Sequence, residues 1–234
     1  MEHAEQWIWL PEAMYPESQK TILLGTNRNE PEGNHTVAEF RKTYTFDTTV
    51  TGLKLRFSGD SAVQLYLNGE CIGTGPASVG GDFLDNDTPR ENFYAFETEL
   101  QPHTQKLDFF ARVRMMPVHI CEYSKGHGGF MLSAVVTFAD GTEQLIAADE
   151  SWQVRRNGSY AEPRRFDGRI LPEAYVQAER ITNIWNTETA PIPLRTEEVI
   201  VPQGSKIPLQ PGEKKTAVLE MDKIWAGRDG RGEA

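Results

Sequence analysis

Cysteine is scarce in this chain: two residues, Cys71 and Cys121, among 234. They lie far apart and match no metal-ligand spacing, which argues against a cysteine-based zinc site. The expectation is a pair of reduced, buried thiols, with a disulfide between them as the alternative. Positive charge is short as well, with 24 Lys and Arg against 34 Asp and Glu and a net charge of −10. Phosphate backbones are held by a positive stripe, and none is visible, so a nucleic-acid partner is excluded. No apolar run reaches the length of a membrane-spanning helix. The opening Met1-Glu-His-Ala-Glu has neither the basic nor the apolar part of a secretion signal, and a cytoplasmic location is the expectation. Helical periodicity is nearly missing too; only Glu173 to Glu179 suggests one turn or two.

What remains is the pattern of a β protein. Hydrophobic residues make up 38% and aromatics 10%, enough to bury a sizeable core. Trp7-Ile-Trp9 reads as an apolar anchor at a sheet edge, and Glu12 to His35 as a long polar loop. From Val37 to Phe46 the residues alternate, with Phe40, Lys42, Tyr44 and Phe46 on one side and Arg41, Thr43 and Thr45 on the other. Further strands are expected at Leu53–Phe57, Val63–Leu67, Glu70–Gly73, Phe93–Leu100, Leu107–Val113, Phe130–Phe138, Glu143–Ala147 and Asp149–Val154. Asn68-Gly69 and Asp140-Gly141 each join two of them, and both dipeptides suit the positive φ angles of a type I′ hairpin. Many short strands between Gly and Pro turns indicate an all-β, antiparallel sandwich of jelly-roll type over residues 1–186. In residues 187–234 five prolines, from Pro191 to Pro211, mark an extended connector; the alternation over Lys215 to Glu220 reads as the start of a second β domain.

Catalytic signals are weak. There is no Gly-x-Ser-x-Gly elbow, and His119 and Cys121 are merely two apart in sequence. Glu97 and Glu99 share a strand face, but among 34 acids such a pair singles out nothing. His119, Glu122 and His127 follow no recognised zinc pattern. Asp82, Asp85 and Asp87 offer hard oxygen ligands in a loop, so structural calcium stays open and no other cofactor is expected. Sugar recognition asks for aromatic faces beside hydrogen-bonding side chains. Two loops hold that mixture: Gly75 to Asn92, with Asp82, Asp85, Asn86, Asp87 and Arg90, and Met115 to Gly128, with His119, Glu122, Tyr123 and His127. Both follow strands and could leave one end of a sandwich, where loops are free to carry function. In the other reading Phe83 and Tyr123 cover the core, and the acids form a solvated turn.

Several segments carry a resemblance. Phe40-Arg-Lys-Thr-Tyr-Thr-Phe46, Val63-Gln-Leu-Tyr-Leu-Asn-Gly69 with Gly73-Thr-Gly-Pro76, and Gly128 to Thr142 followed by Asp149-Glu-Ser-Trp152 resemble the amino-terminal, galactose-binding-like sandwich of bacterial α-L-rhamnosidases, glycoside hydrolase family 78. Phe166-Asp-Gly-Arg169 is similar to a degenerate copy of that family's acidic segment after the sandwich, whereas Gln101-Pro-His-Thr-Gln105 departs from its usual turn. The resemblance covers Trp7 to about Asn186. It implies a non-catalytic domain, because the family's catalytic acids sit in a helical barrel and have no matching positions in this chain. It also implies the partners: carbohydrate, or the catalytic domain of the parent enzyme. A free-standing sugar-binding module and a structural module for domain or subunit packing, including homo-oligomers, stand as alternatives.

Overall fold

One strand organises the molecule. In the computed structural model, Thr36–Gly59 runs as 24 continuous residues. The structure describes residues 6–14, 35–75, 93, 95–115, 128–160 and 166–181 in full, and the backbone alone of residues 92, 187–188, 192–193, 195–201, 213–219, 225–226 and 232–233. In chain order the strands are β1 (Trp7–Trp9), β2 (Thr36–Gly59), β3 (Ala62–Leu67), β4 (Glu70–Gly75), β5 (Asn92–Phe93), β6 (Phe96–Leu100), β7 (Thr104–Met115), β8 (Phe130–Phe138) and β9 (Glu143–Ala147). They continue with β10 (Gln153–Arg156), β11 (Val176–Gln177), β12 (Glu179–Ile181), β13 (Thr187–Glu188), β14 (Ile192–Pro193), β15 (Arg195–Val201) and β16 (Glu213–Leu219). No α-helix occurs among the described residues.

The first half of β2 pairs with β7 and β10; the second half pairs with β6 and β8, and the register with β7 shifts between Thr45 and Val50. A strand that changes sheet at such an irregularity forms the corner of a sandwich. One sheet therefore runs β4–β3–β7–β2–β10–β11. The other runs β14–β6–β2–β8, with β9 and then β1–β12 along the far side of β8. Neighbours are antiparallel except that β14 lies parallel to β6; β13 and β15 also pair in parallel, with β5 and β16.

Between the sheets lies one apolar core. Phe40 from the first sheet stacks on Phe130 from the second, centroids 4.9 Å apart, and Trp9 and Trp152 close in from either side. Each such ring, fully buried, contributes roughly 2–3 kcal/mol. The expected alternation holds: Phe40 is buried and Lys42, Tyr44 and Phe46 are half-buried, while Arg41, Thr43 and Thr45 face solvent. The two strands expected on either side of Asp47 are a single one, because nothing in Asp47-Thr-Thr-Val50 stops the chain from staying extended across the corner.

Several expectations are corrected. Glu173 to Glu179 is not helical: Val176 and Gln177 pair with Val154 and Gln153, the demand of an open sheet edge outweighing weak local periodicity. The strand expected from Asp149 starts only at Gln153, because Asp149 takes hydrogen bonds from the Ser151 N–H and hydroxyl and holds a turn. Phe93–Leu100 divides into β5 and β6. Asn68 and Gly69 have φ of 50° and 85°, the type I′ turn expected, but at Asp140-Gly141 only the glycine is positive, at 82°. There the Gly141 N–H donates to Phe138 O and the Phe138 N–H to Thr142 O, a three-residue loop with a glycine bulge. Cys71 is half-buried rather than buried, its Sγ 3.8 Å from Thr74 Oγ1, because a register shift opposite Tyr66 sends Ile72 into the core instead. Cys121 lies outside the described residues.

Candidate functional site

Strand register assembles a face from residues distant in sequence. On the outer side of the first sheet, β10, β2, β7 and β3 lie side by side, and partners line up in rows across them. One row is Arg155–Glu39–Arg112–Gln64, and the next is Gln153–Arg41–Phe110–Tyr66. In a third, Thr43 lies opposite Asp108, whose backbone N–H and C=O bond Asn68 at the hairpin tip. Because the side-chain period is two, all these residues share one face.

Glu39 anchors the first row at only 1% exposure. Its Oε1 accepts from Arg112 Nη2 at 2.9 Å and Asn157 Nδ2 at 2.8 Å, and its Oε2 from Arg155 Nε at 2.8 Å. Burial alone would raise this carboxyl's pKa, yet the bonds from Asn157, Arg155 and Arg112 outweigh it and hold the pKa below the usual value. Tyr160 and Tyr175 roof the row, Arg112 lying 5.3 Å from the first ring and Arg155 4.5 Å from the second.

Beside this roofed row the face opens into a groove of about 760 Å³. Its lining includes Arg41, Thr43, Tyr66, Asp108, Phe110, Gln153 and Tyr175. Tyr66 and Phe110, 5.7 Å apart, are half-exposed. Such cross-strand pairs stabilise a sheet by roughly 0.2–1 kcal/mol, and here they also leave apolar ring surface facing the groove. Arg41 stacks 3.7 Å from the Tyr175 centroid while its Nε donates to Gln153 Oε1 at 2.8 Å. Asp108 accepts from Thr43 Oγ1 at 2.5 Å. Aromatic surface flanked by fixed donors and acceptors can hold a ring-shaped polar ligand.

The residues singled out in the sequence are not those of this groove. Asp82, Asp85, Asn86, Asp87, Arg90, His119, Glu122, Tyr123 and His127 all lie outside the described residues. The strand ends from which their loops depart, Gly75 of β4 and Met115 of β7, are at one end of the sandwich, where Gly75 pairs with Val63 and Met115 with Thr36. Glu97 and Glu99 are each taken up by a cross-strand cation, Arg56 at 3.4 Å and Lys54 at 3.6 Å. Among the described residues no three His, Cys, Asp or Glu side chains converge as a metal site would require. The groove escaped the sequence reading because its lining comes from five separated segments with no local motif. The exposed aromatics Tyr66 and Phe110, out of phase with their strands' buried residues, were the available signal.

Fold and groove together define the class: an all-β antiparallel sandwich with an aromatic, polar groove on one sheet. No protein-family model matches the chain, and no curated protein matches it. Among solved structures it is similar to the apo form of a lectin from Pleurotus ostreatus, at 17% identity and TM-score 0.47, over 76% of this chain and 42% of the lectin. It is also similar to a family GH78 rhamnosidase of Bacillus sp. GL1 (20% identity, TM-score 0.49, 80% of this chain and 19% of that one). A third is the α-L-rhamnosidase of Dictyoglumus thermophilum (18% identity, TM-score 0.48, 80% and 22%). The chain spans less than half the length of each of these proteins.

Proposed function

We propose that this chain is a non-catalytic β-sandwich domain of a rhamnosidase-like glycoside hydrolase, and that it binds carbohydrate in the groove of its first sheet. The observation that carries the reading is the pair of half-exposed rings, Tyr66 and Phe110, set beside Arg41, Asp108 and Gln153. A pyranose has an apolar face for the rings and hydroxyls for the polar groups. The parent enzyme class rests on the sequence resemblance. The proposed support of a catalytic domain is favoured by Phe166 and Leu171, 64% and 79% exposed in one turn, an apolar surface for a neighbouring domain.

Titration calorimetry with rhamnose- and galactose-containing oligosaccharides tests the binding. Phe110→Ala and Tyr66→Ala should each weaken it by about tenfold, the usual cost of truncating a central aromatic anchor. If both variants bind as the unaltered chain does, the groove is not the site. Loss on substituting Asp85, Asp87, His119 or Tyr123 instead would move it to the loop end, and paired runs with calcium and EDTA would report a metal at Asp82, Asp85 and Asp87. Site-dependent hydrolysis of an aryl rhamnoside by this chain alone would overturn the non-catalytic reading.

A further inference from the structure

We infer that the groove takes an acidic saccharide, one bearing a uronate carboxylate, an inference that rests on the groove being the sugar site. The charge pattern carries it. The chain has a net charge of −10, yet the groove runs the other way. Its lining holds two cations, Arg41 and Lys42, and one carboxylate, Asp108. Asp108 is already engaged by the Thr43 hydroxyl and by Lys106 at 3.7 Å. Asp149, beside the lining residue Ser151, is committed to Ser151. Lys42 is turned to Ser151, with its Nζ 2.8 Å from the hydroxyl.

Arg41 is the cation left over. It makes no ion pair among the described residues; its Nε is taken by Gln153, and its terminal nitrogens have no hydrogen-bond partner there. Directly behind it stands the Arg112–Glu39–Arg155 row, two guanidiniums on one carboxylate, which adds a further net positive charge. Arg41 and Arg155 both lie against the Tyr175 ring, at 3.7 and 4.5 Å, so two like charges are held close together. A neutral sugar would cover this surplus without compensating it. A carboxylate on the pyranose would accept charge-assisted hydrogen bonds from the Arg41 fork while the sugar ring meets Tyr66 and Phe110.

The test compares tetragalacturonate with its fully methyl-esterified form by calorimetry, at low salt and at about 0.5 M NaCl, where exposed charges are screened beyond roughly 4–5 Å. The acid should bind about tenfold more tightly than the ester at low salt. That preference should shrink at high salt and disappear in Arg41→Gln, which should weaken binding of the acid by more than it weakens binding of the ester. Equal affinity of the unaltered protein for acid and ester would overturn the inference, as would an Arg41→Gln variant that weakens both alike. Either result leaves the groove as a site for neutral sugar. If neither form binds, nor any neutral rhamnose or galactose oligosaccharide, the carbohydrate reading falls with it.

Discussion

Glu39 shows how a single residue can be placed by sequence and still not be understood from it. The period of two put Glu39 on the same side as Arg41, facing outward. It could not show that strands 73 and 116 residues away would lay Arg112 and Arg155 on either side of it. Once they do, a carboxylate on the strand's outward face becomes the buried centre of a triad. Removing one member of a buried ion cluster costs about 3–5 kcal/mol. Here Arg112 and Arg155 keep 31% and 28% of their side-chain surface in water, so solvent screening lowers the expectation for Glu39→Gln to about 2–3 kcal/mol. The urea midpoint measures it. Adding Arg112→Leu and Arg155→Leu should recover much of the loss, since it is the stranded like charges that destabilise the variant. No recovery would mean that the carboxylate's own contacts, with Asn157 above all, matter more.

At the scale of elements, two similar dipeptides made different turns. Asn-Gly and Asp-Gly carry the same signal, and the sequence offers no reason to separate them. The difference lies in what the first residue bonds to. Asp140 turns its carboxylate onto the N–H and hydroxyl of Thr142, which favours the longer loop and leaves its own φ negative. Asn68 instead uses its side chain on the neighbouring strand: its Oδ1 accepts from the Asp108 N–H at 2.9 Å, and its own N–H donates to Asp108 O at 2.8 Å. The β3–β4 hairpin is thereby fastened to β7 beside the groove. Asn68→Ala loses that side-chain bond and must also hold a φ of 50° that alanine disfavours, so the expected loss is about 1.5–3 kcal/mol. Asp140→Ala, at an exposed position whose own φ is not positive, should cost clearly less than Asn68→Ala. Equal thermal shifts in the two variants would show that the Asp108 contact does not fasten the hairpin. Asn68→Ala should also weaken sugar binding, because Asp108 and Gly69 line the groove.

For the molecule as a whole, the sandwich was legible because strand alternation and hairpin turns are local signals. The groove was not, because it is a property of strand order. Strand order also decides the pH response, through a residue that no motif marks. His35 is 7% exposed at the start of β2; its Nδ1 lies 2.8 Å from Tyr160 O, and its Nε2 has no hydrogen-bond partner among the described residues. Burial, opposed by the Tyr160 carbonyl and aided by nearby Arg114, lowers its pKa from 6.5 to about 4. The unfolded chain therefore takes up this proton as the pH drops through about 6.5, while the folded chain resists until about 4. Stability from His35 is present above that window and lost as the pH falls through it. Glu39, its pKa also lowered on folding, adds a loss in the same direction below its unfolded value of 4.5. The His35 part amounts to about 3 kcal/mol once protonation is complete. Urea midpoints at pH 7, 5.5 and 4.5 should therefore decline, with the fall beginning well above the carboxylate range. His35→Gln should hold its midpoint nearly level from pH 7 to 5 and decline only below that, where Glu39 of the unfolded chain takes up its proton while the folded Glu39 stays ionised. A parallel decline in the variant and the unaltered chain would place the acid sensitivity elsewhere in the sandwich.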